Sequence, residues 1–301
     1  MRILVTGSSG LIGSALVPFL TASGHRVIRL IRSQSQTPTR GESWGWDPDR
    51  GTILSAGREE PDGVVHLAGE NIAGGRWTQR RKALIRDSRV KGTRVLSDLI
   101  GRRSPPPKVL VCASAVGYYG DRGDEILTEE SAPGSAFLPD VCREWEAACQ
   151  PAADRGIRVV NLRLGMVLSP AGGALGKMLT PFKLGAGGVI GSGSQYMSWI
   201  ALDDVASAIH AALTQDSLRG PVNAVAPNAI TNRDFTRTLG RVLSRPTLFP
   251  MPAFAARLAL GEMADALLLA SARVVPVRLL ESGFSFRYPD LEGALRHLLR
   301  D

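Results

Sequence analysis

The chain is short of cysteine, histidine and aromatic residues: three Cys, four His and 6% Phe, Tyr and Trp in 301 residues. Cys112, Cys142 and Cys149 are odd in number and form no C-x-x-C pair, which argues against a disulfide framework and leaves too few thiols for structural zinc. His25, His66, His210 and His297 stand far apart with no H-E-x-x-H cluster, so no metal is expected. No apolar run approaches the roughly 18 residues of a bilayer span. The opening residues pass from Met1 and Arg2 directly into Ile3-Leu4-Val5 without a signal-peptide layout, and we expect a cytoplasmic protein with no membrane contact.

What is present is enough apolar residue, 44%, to bury a large core, with 21% charged. That composition excludes the disordered and collagen-like classes. Lysine and arginine exceed aspartate and glutamate by 36 to 28, a net charge of +8. The arginines are spread along the chain, and the short cluster Arg76, Arg80, Arg81, Lys82 falls on an expected helix. Scattered charge of this kind predicts no nucleic-acid partner, although it favours an anionic cofactor.

Hydrophobic periodicity orders the chain as alternating strands and helices. Arg2 to Thr6 reads as a strand, Leu11 to Thr21 as a helix ended by Gly24, and Arg26 to Ile31 as a second strand. Strands follow at 64–68, 108–113 and 158–164, with helices at 79–100 and 138–155. This rhythm predicts an α/β fold with a Rossmann-type, doubly wound parallel sheet and helices on both faces. Past Gly165 the alternation breaks into a glycine-rich segment. A helix near Asp203 and a strand at 221–226 then return to the sheet, and a mostly helical region runs from Thr231, whose Thr-x-x-Asp234 suits a capping box. We therefore expect a Rossmann domain over 1–170 and 196–226, and a smaller, mostly helical substrate-side lobe over 171–195 and 227–301.

The strongest local signal is Thr6-Gly7-Ser8-Ser9-Gly10-Leu11-Ile12-Gly13, between the first strand and the first helix. Small residues let the backbone approach a pyrophosphate, and the free amides and partial positive charge of the helix N-terminus attract it. The spacing is G-x-x-G-x-x-G, and Gly7, Ser9, Gly10, Leu11, Ile12 and Gly13 are the expected contacts of a dinucleotide. An NAD site calls for an acidic residue at the end of the second strand. The sequence there is Leu30-Ile31-Arg32-Ser33, with no carboxylate before Glu42. Arg32 offers a planar, permanently charged fork to a 2′-phosphate, so NADP is expected over NAD; the alternative is a solvated strand end.

At this point the residues resemble a family. The glycine motif, Asp62-Gly63-Val64-Val65-His66-Leu67-Ala68-Gly69, and Ser114 after Val109-Leu110-Val111 are similar to the extended short-chain dehydrogenase/reductase superfamily. Glu70-Asn71-Ile72, Arg76-Trp77, Ser88-Arg89, Tyr118-Tyr119-Gly120, Trp145-Glu146, the Gly185 to Gly193 stretch, Trp199-Ile200 and Gly283-Phe284 resemble its NADP-binding "epimerase family" branch, which carries a C-terminal domain of unknown function. The resemblance runs nearly end to end. It implies that Leu67, Ala68 and Gly69 line the cofactor, that Leu164, Gly165 and Val167 approach the nicotinamide, and that Ser114 faces the substrate. It also implies an oxidoreductase or epimerase acting on a small molecule, with a possible homodimer.

One element of that superfamily is missing. Its active members use Tyr-x-x-x-Lys on a helix to move a proton while the cofactor moves a hydride. Tyr118, Tyr119, Tyr196 and Tyr288 are followed four residues on by Arg122, Gly123, Ile200 and Glu292, and the matching helix positions hold Leu138 and Cys142. In an enzymatic reading Ser114 polarises a carbonyl and Tyr118 or Glu70 replaces the tyrosine. In the other reading the protein holds NADP(H) without turnover, as a sensor or binding partner. Glu70 is equally a salt-bridged surface carboxylate. Arg89 either reaches the cofactor or pairs with Asp87, Gly185 to Gln195 is a mobile lid or a rigid turn, and Met251 to Leu269 is a helical core or a dimer face. Asp203-Asp204 is read as a helix cap and Cys142 as inert packing.

Overall fold

A computed structural model describes residues 1–32, 43–48, 50–54 and 60–300. Its centre is a sheet of eight strands: β1 (Arg2–Thr6), β2 (Arg26–Arg32), β3 (Ser43–Asp47), β4 (Thr52–Leu54), β5 (Gly63–His66), β6 (Val109–Ala115), β7 (Arg158–Leu164) and β8 (Gly220–Ala224). Their order across the sheet is β8-β7-β6-β5-β1-β2-β3-β4, and every pair is parallel except the β3–β4 edge. The chain leaves β1 towards β2 on one side and returns to β5 on the other. That reversal opens the crevice at the C-terminal ends of the strands where ligands of such sheets bind.

Both faces of the sheet are covered, which is why its strands are nearly continuous apolar runs. Along β1, Ile3 and Val5 pack with Leu16 and Leu20 of helix α1 (Leu11–Ala22), with Ile200, and with Val205 and Ile209 of the helix Leu202–Thr214. Leu4 faces the opposite layer with Ile28, Leu30, Val64, Leu110, and Leu96 and Ile100 of helix α2 (Gln79–Gly101). Thr78 caps α2 by accepting from the Arg81 N–H, so Arg76 lies in the loop before the helix rather than on it. The expected helix 138–155 is two pieces, α3 (Phe137–Ala147) and Gln150–Ala153. Pro151 fits the break: it lies in the first turn of the second piece, where its missing N–H costs nothing, whereas in a continuous helix it would remove a hydrogen bond. The edge pair β3–β4 went unread in the sequence because Ser43–Asp47 is short, although its Trp44 and Trp46 are buried.

A third apolar cluster unites Leu168, Leu175 and Phe182 with Trp199, Phe235, Leu239, Leu291 and Leu295. It draws residues from both sides of the expected boundary. The chain after 272 also returns to the main sheet, since Leu279 lies in the core beside β8. The split at residue 227 is therefore not a clean one. The stretch 251–269 is broken at Gly261, which has φ +63°; Met263 is buried, whereas Leu258 is 76% exposed. No helix among the described residues is long and apolar enough to cross a membrane.

Asp204 fastens the C-terminal segment to the sheet domain. Its buried carboxylate accepts from the backbone N–H groups of Arg287 (2.8 Å) and Tyr288 (3.0 Å). Asp203 and Asp204 lie in the first turn of their helix but do not cap it as expected: the N-cap is Ala201, no side chain caps the helix, and Asp203 lies 3.4 Å from His297. Replacing Asp204 with Ala strands two backbone donors. We expect a loss of about 2–4 kcal/mol in urea unfolding, and a loss below about 1 kcal/mol would contradict this role.

Candidate functional site

The site is built from strand ends. After β1 the chain turns at Gly7, which has φ +65°, a conformation that glycine adopts without strain. A Cβ there would lie 2.7 Å from the Leu67 carbonyl carbon, and one on Gly13 would lie 2.2 Å from the Gly7 oxygen. The loop and the turn after β5 are therefore in backbone contact. Thr6 joins them: its Oγ1 accepts from the N–H groups of Leu67 (3.1 Å) and Ala68 (3.2 Å). With its lone pairs engaged, Thr6 donates its own proton to Nδ1 of His66 at 2.7 Å. The imidazole proton is thereby assigned to Nε2, which finds no partner among the described residues, with the Trp46 ring centroid 6.0 Å from that of His66.

Residues Ser9 and Gly10 are exposed at the loop tip. No side chain caps α1, and the first amide to bond back is that of Ser14, to the Gly10 carbonyl. The amides of Leu11, Ile12 and Gly13 remain for an anionic ligand. Arg32 ends β2, whose Leu30 is in register with Thr6, so its exposed side chain stands beyond the loop on the same edge. Ser33 and Glu42 lie outside the described residues. On the far side of β5, Leu164 is in register with Ala115, while Gly165 is fixed by packing: a Cβ would come within 2.7 Å of the Ser198 oxygen. Val167 pairs with Ile200 in the next short ladder.

Ser114, Arg163 and Asn223 are in register on the neighbouring strands β6, β7 and β8 and so share one face of the sheet. Arg163 is buried, its side chain 3% exposed, and two of its nitrogens meet Glu146 of α3: Nε to Oε1 at 2.8 Å and Nη2 to Oε2 at 2.9 Å. Nη1 donates to the Tyr119 hydroxyl at 2.9 Å, which in turn donates to Asn223 at 2.7 Å. Burial opposes the guanidinium charge, but Glu146 outweighs it and holds the Arg163 pKa above its ordinary value. Ser114 donates to Glu146 Oε1 at 2.7 Å. The Tyr118 ring lies under the guanidinium, centroid 3.5 Å from Cζ, and its hydroxyl bonds to no described residue.

Of the three expected catalytic residues, the structure thus gathers Ser114 and Tyr118. Glu70 stands apart from this network: it pairs with Arg81 at 2.8 Å and is 40% exposed. Arg89 bonds the Glu70 carbonyl, while Asp87 pairs with Lys91 and Arg86. Cys142 is buried, and burial pushes its thiol up to about 12, in keeping with packing rather than reactivity. The glycines of 185–193 serve close packing, since a Cβ on Gly188 would meet the Phe249 oxygen at 1.9 Å. Among the described residues no group of three or more His, Cys, Asp or Glu could hold a metal. Sequence reasoning missed Glu146, Arg163 and Asn223 as site residues. The available signal was an arginine inside a strand buried on both faces.

Residues 3–224 match the NAD dependent epimerase/dehydratase family. The chain belongs to it. Residues 251–298 match a domain of unknown function, DUF1731. An epimerase family protein of Mycobacterium bovis is 43% identical over 293 residues, covering 97% of this chain and 96% of its own. The human relative SDR39U1 is 36% identical, covering 99% and 100%. A crystal structure of human SDR39U1 with NADPH superposes with a TM-score of 0.89 at 35% identity, over 99% of each chain. A nucleoside-diphosphate sugar epimerase structure from Corynebacterium glutamicum gives 0.81 at 39% identity, over 99% of this chain and 58% of that one.

The Thr6–His66 link carries a pH signature. Burial lowers the His66 pKa to about 4, against about 6.5 unfolded. Below that higher value the unfolded chain takes up a proton that the native one refuses. His66 thus contributes stability above pH 6.5 that is lost as pH falls through the window to 4, about 3 kcal/mol in all. Urea unfolding should show this loss in the parent protein and a shallower one in His66→Asn, whose amide oxygen accepts from Thr6. Equal slopes would refute it.

Proposed function

We propose that this protein binds NADP(H) and uses it for hydride transfer on a small molecule, as an oxidoreductase or epimerase. The observation that carries the reading is the loop from Gly7 to Gly13. Gly7 and Gly13 are packed so tightly that no side chain fits, and three helix amides stand free behind them. A dinucleotide diphosphate suits those amides. Arg32 is placed for the 2′-phosphate, and the other half of the molecule would run over Leu67, Ala68 and Gly69 towards Ser114 and the Leu164–Val167 turn. That human SDR39U1 was crystallised with NADPH supports the same assignment.

When bound, the nicotinamide ring of NADP(H) gives or takes a hydride. The chain supplies the proton path. Arg163 meets Glu146 through two parallel hydrogen bonds, the strong form of such a pair. Because the Ser114 proton is directed to Glu146, Ser114 Oγ is left as an acceptor for a substrate hydroxyl. Oxidation of an alcohol then passes the substrate proton to Ser114 Oγ as the Ser114 proton moves to Glu146. Reduction runs the same path backwards. Tyr118, with its unbonded hydroxyl beside Arg163, orients the substrate oxygen.

A second reading, a catalytically silent NADP(H) sensor, draws on Leu138 and Cys142, which supply neither hydroxyl nor charge.

Two measurements test the proposal. Titration should give NADPH a Kd about tenfold or more below that of NADH, a preference that Arg32→Ala removes and that Gly13→Leu abolishes together with all binding. Tighter NADH binding, or a Gly13→Leu variant with unchanged affinity, would overturn the cofactor assignment. Stopped-flow absorbance of bound NADPH against carbonyl compounds and nucleotide sugars should find turnover that Glu146→Gln slows by about a hundredfold or more, with the NADPH Kd unchanged. No oxidation by any compound would favour the sensor.

A further inference from the structure

Beyond the diphosphate, α3 brings no cation to the crevice. Leu138 and Cys142 lie one turn apart on it, and the Cys142 thiol is neutral at physiological pH. A cation reaches this place from the neighbouring helix instead. Arg89 of α2 lies over the Trp145 ring, Cζ 5.0 Å from the centroid, and close enough to Cys142 for its charge to act on the thiol. It also borders the turn after β5, because a Cβ on Gly69 would come within 3.3 Å of Cζ.

The partners of Arg89 do not neutralise it. Nη1 donates to the carbonyls of Glu70 (2.9 Å) and Ile85 (3.1 Å). Nε and Nη2 bond to no described residue, and no carboxylate of a described residue forms an ion pair with it. Glu70, the acid whose charge reaches it, is paired with Arg81. A largely desolvated guanidinium facing two neutral carbonyls and an indole is incompletely compensated, a costly arrangement unless ligand oxygens complete it. Its planar fork suits two adjacent oxygens.

We propose that Arg89 is the cofactor-positioning cation of the nicotinamide half, with Nε and Nη2 directed at the vicinal hydroxyls of the second ribose. This rests on the NADP(H) reading. It assigns to α2 the positive charge that α3 lacks.

The test compares NADPH with adenosine 2′-phosphate 5′-diphosphate, which has the 2′-phosphate and the diphosphate but neither the second ribose nor nicotinamide. Arg89→Met should weaken NADPH by about tenfold to a hundredfold and leave the fragment within about twofold, which also certifies the fold of the variant. Arg89→Lys, which keeps the charge, should recover part of the lost NADPH affinity. Equal weakening of both ligands would place Arg89 at the diphosphate or in the fold, and unchanged NADPH affinity would turn it towards the substrate; either result overturns the assignment, as does a lysine variant no better than methionine. Parent protein that binds neither ligand refutes the underlying reading, whereas parent protein that binds both with Arg89 silent refutes this inference alone.

Discussion

A guanidinium in the middle of a parallel sheet has to be compensated on every side. Arg163 points from β7 to the face that also carries Ser114 and Asn223, against Tyr118, Tyr119 and Glu146. Removing such a charge from water costs several kcal/mol per ion unless each N–H finds a partner. Glu146 takes two of those contacts, and the Tyr119 hydroxyl and the Glu129 carbonyl take others. Glu129 in turn accepts from the backbone of Asn223 and Arg278 through Oε1. The compensation of one charge thus draws together β6, β7, β8, α3 and the segment that returns from the C-terminal region. Ser114 and Tyr118 owe their positions to it.

The two halves of the crevice are made by different kinds of constraint. Around Gly7 the constraint is backbone space: the loop fits against the 67–68 turn only while positions 7 and 13 lack a Cβ, and Thr6 locks the contact with three hydrogen bonds. Around Ser114 the constraint is charge, satisfied by side chains from separate elements. A steric constraint of the first kind is local in sequence. The second is a long-range network whose members share no motif, and such networks are worth more than their separate pairs.

That difference explains what the sequence disclosed. Gly7, Gly10 and Gly13 lie between a strand and a helix within eight residues, so the cofactor half was legible from spacing, as were β1 and β7 to the residue. Arg163 lies 49 residues from Ser114, and only the β6–β7 register places them together. The sequence pointed to Glu70, an acid just after a strand, and not to Glu146, which lies on α3. Burial separates them: the Glu146 side chain is 13% exposed against 40% for Glu70, and each has its own arginine. The break in α3 was visible as Pro151, whereas the return of Leu279 to the main core had no local sign.

Leu138, Cys142 and Glu146 form one stripe of α3, spaced by four residues. A hydroxyl and an amine at the first two positions would supply an acid and its activating charge from a single helix. Here those positions are apolar or neutral, and the acidic side chain of Glu146 lies one turn further on. Ser114 follows it, turning its proton to Glu146 and leaving its oxygen to accept. The polar groups thus gather one turn further along the helix, towards the buried arginine on β7. In the proposed reaction, carboxylate and guanidinium take the place of phenol and ammonium. In that reaction the Arg163–Glu146 pair stands where the resembled superfamily places its tyrosine and lysine, beside a glycine loop that keeps the dinucleotide architecture.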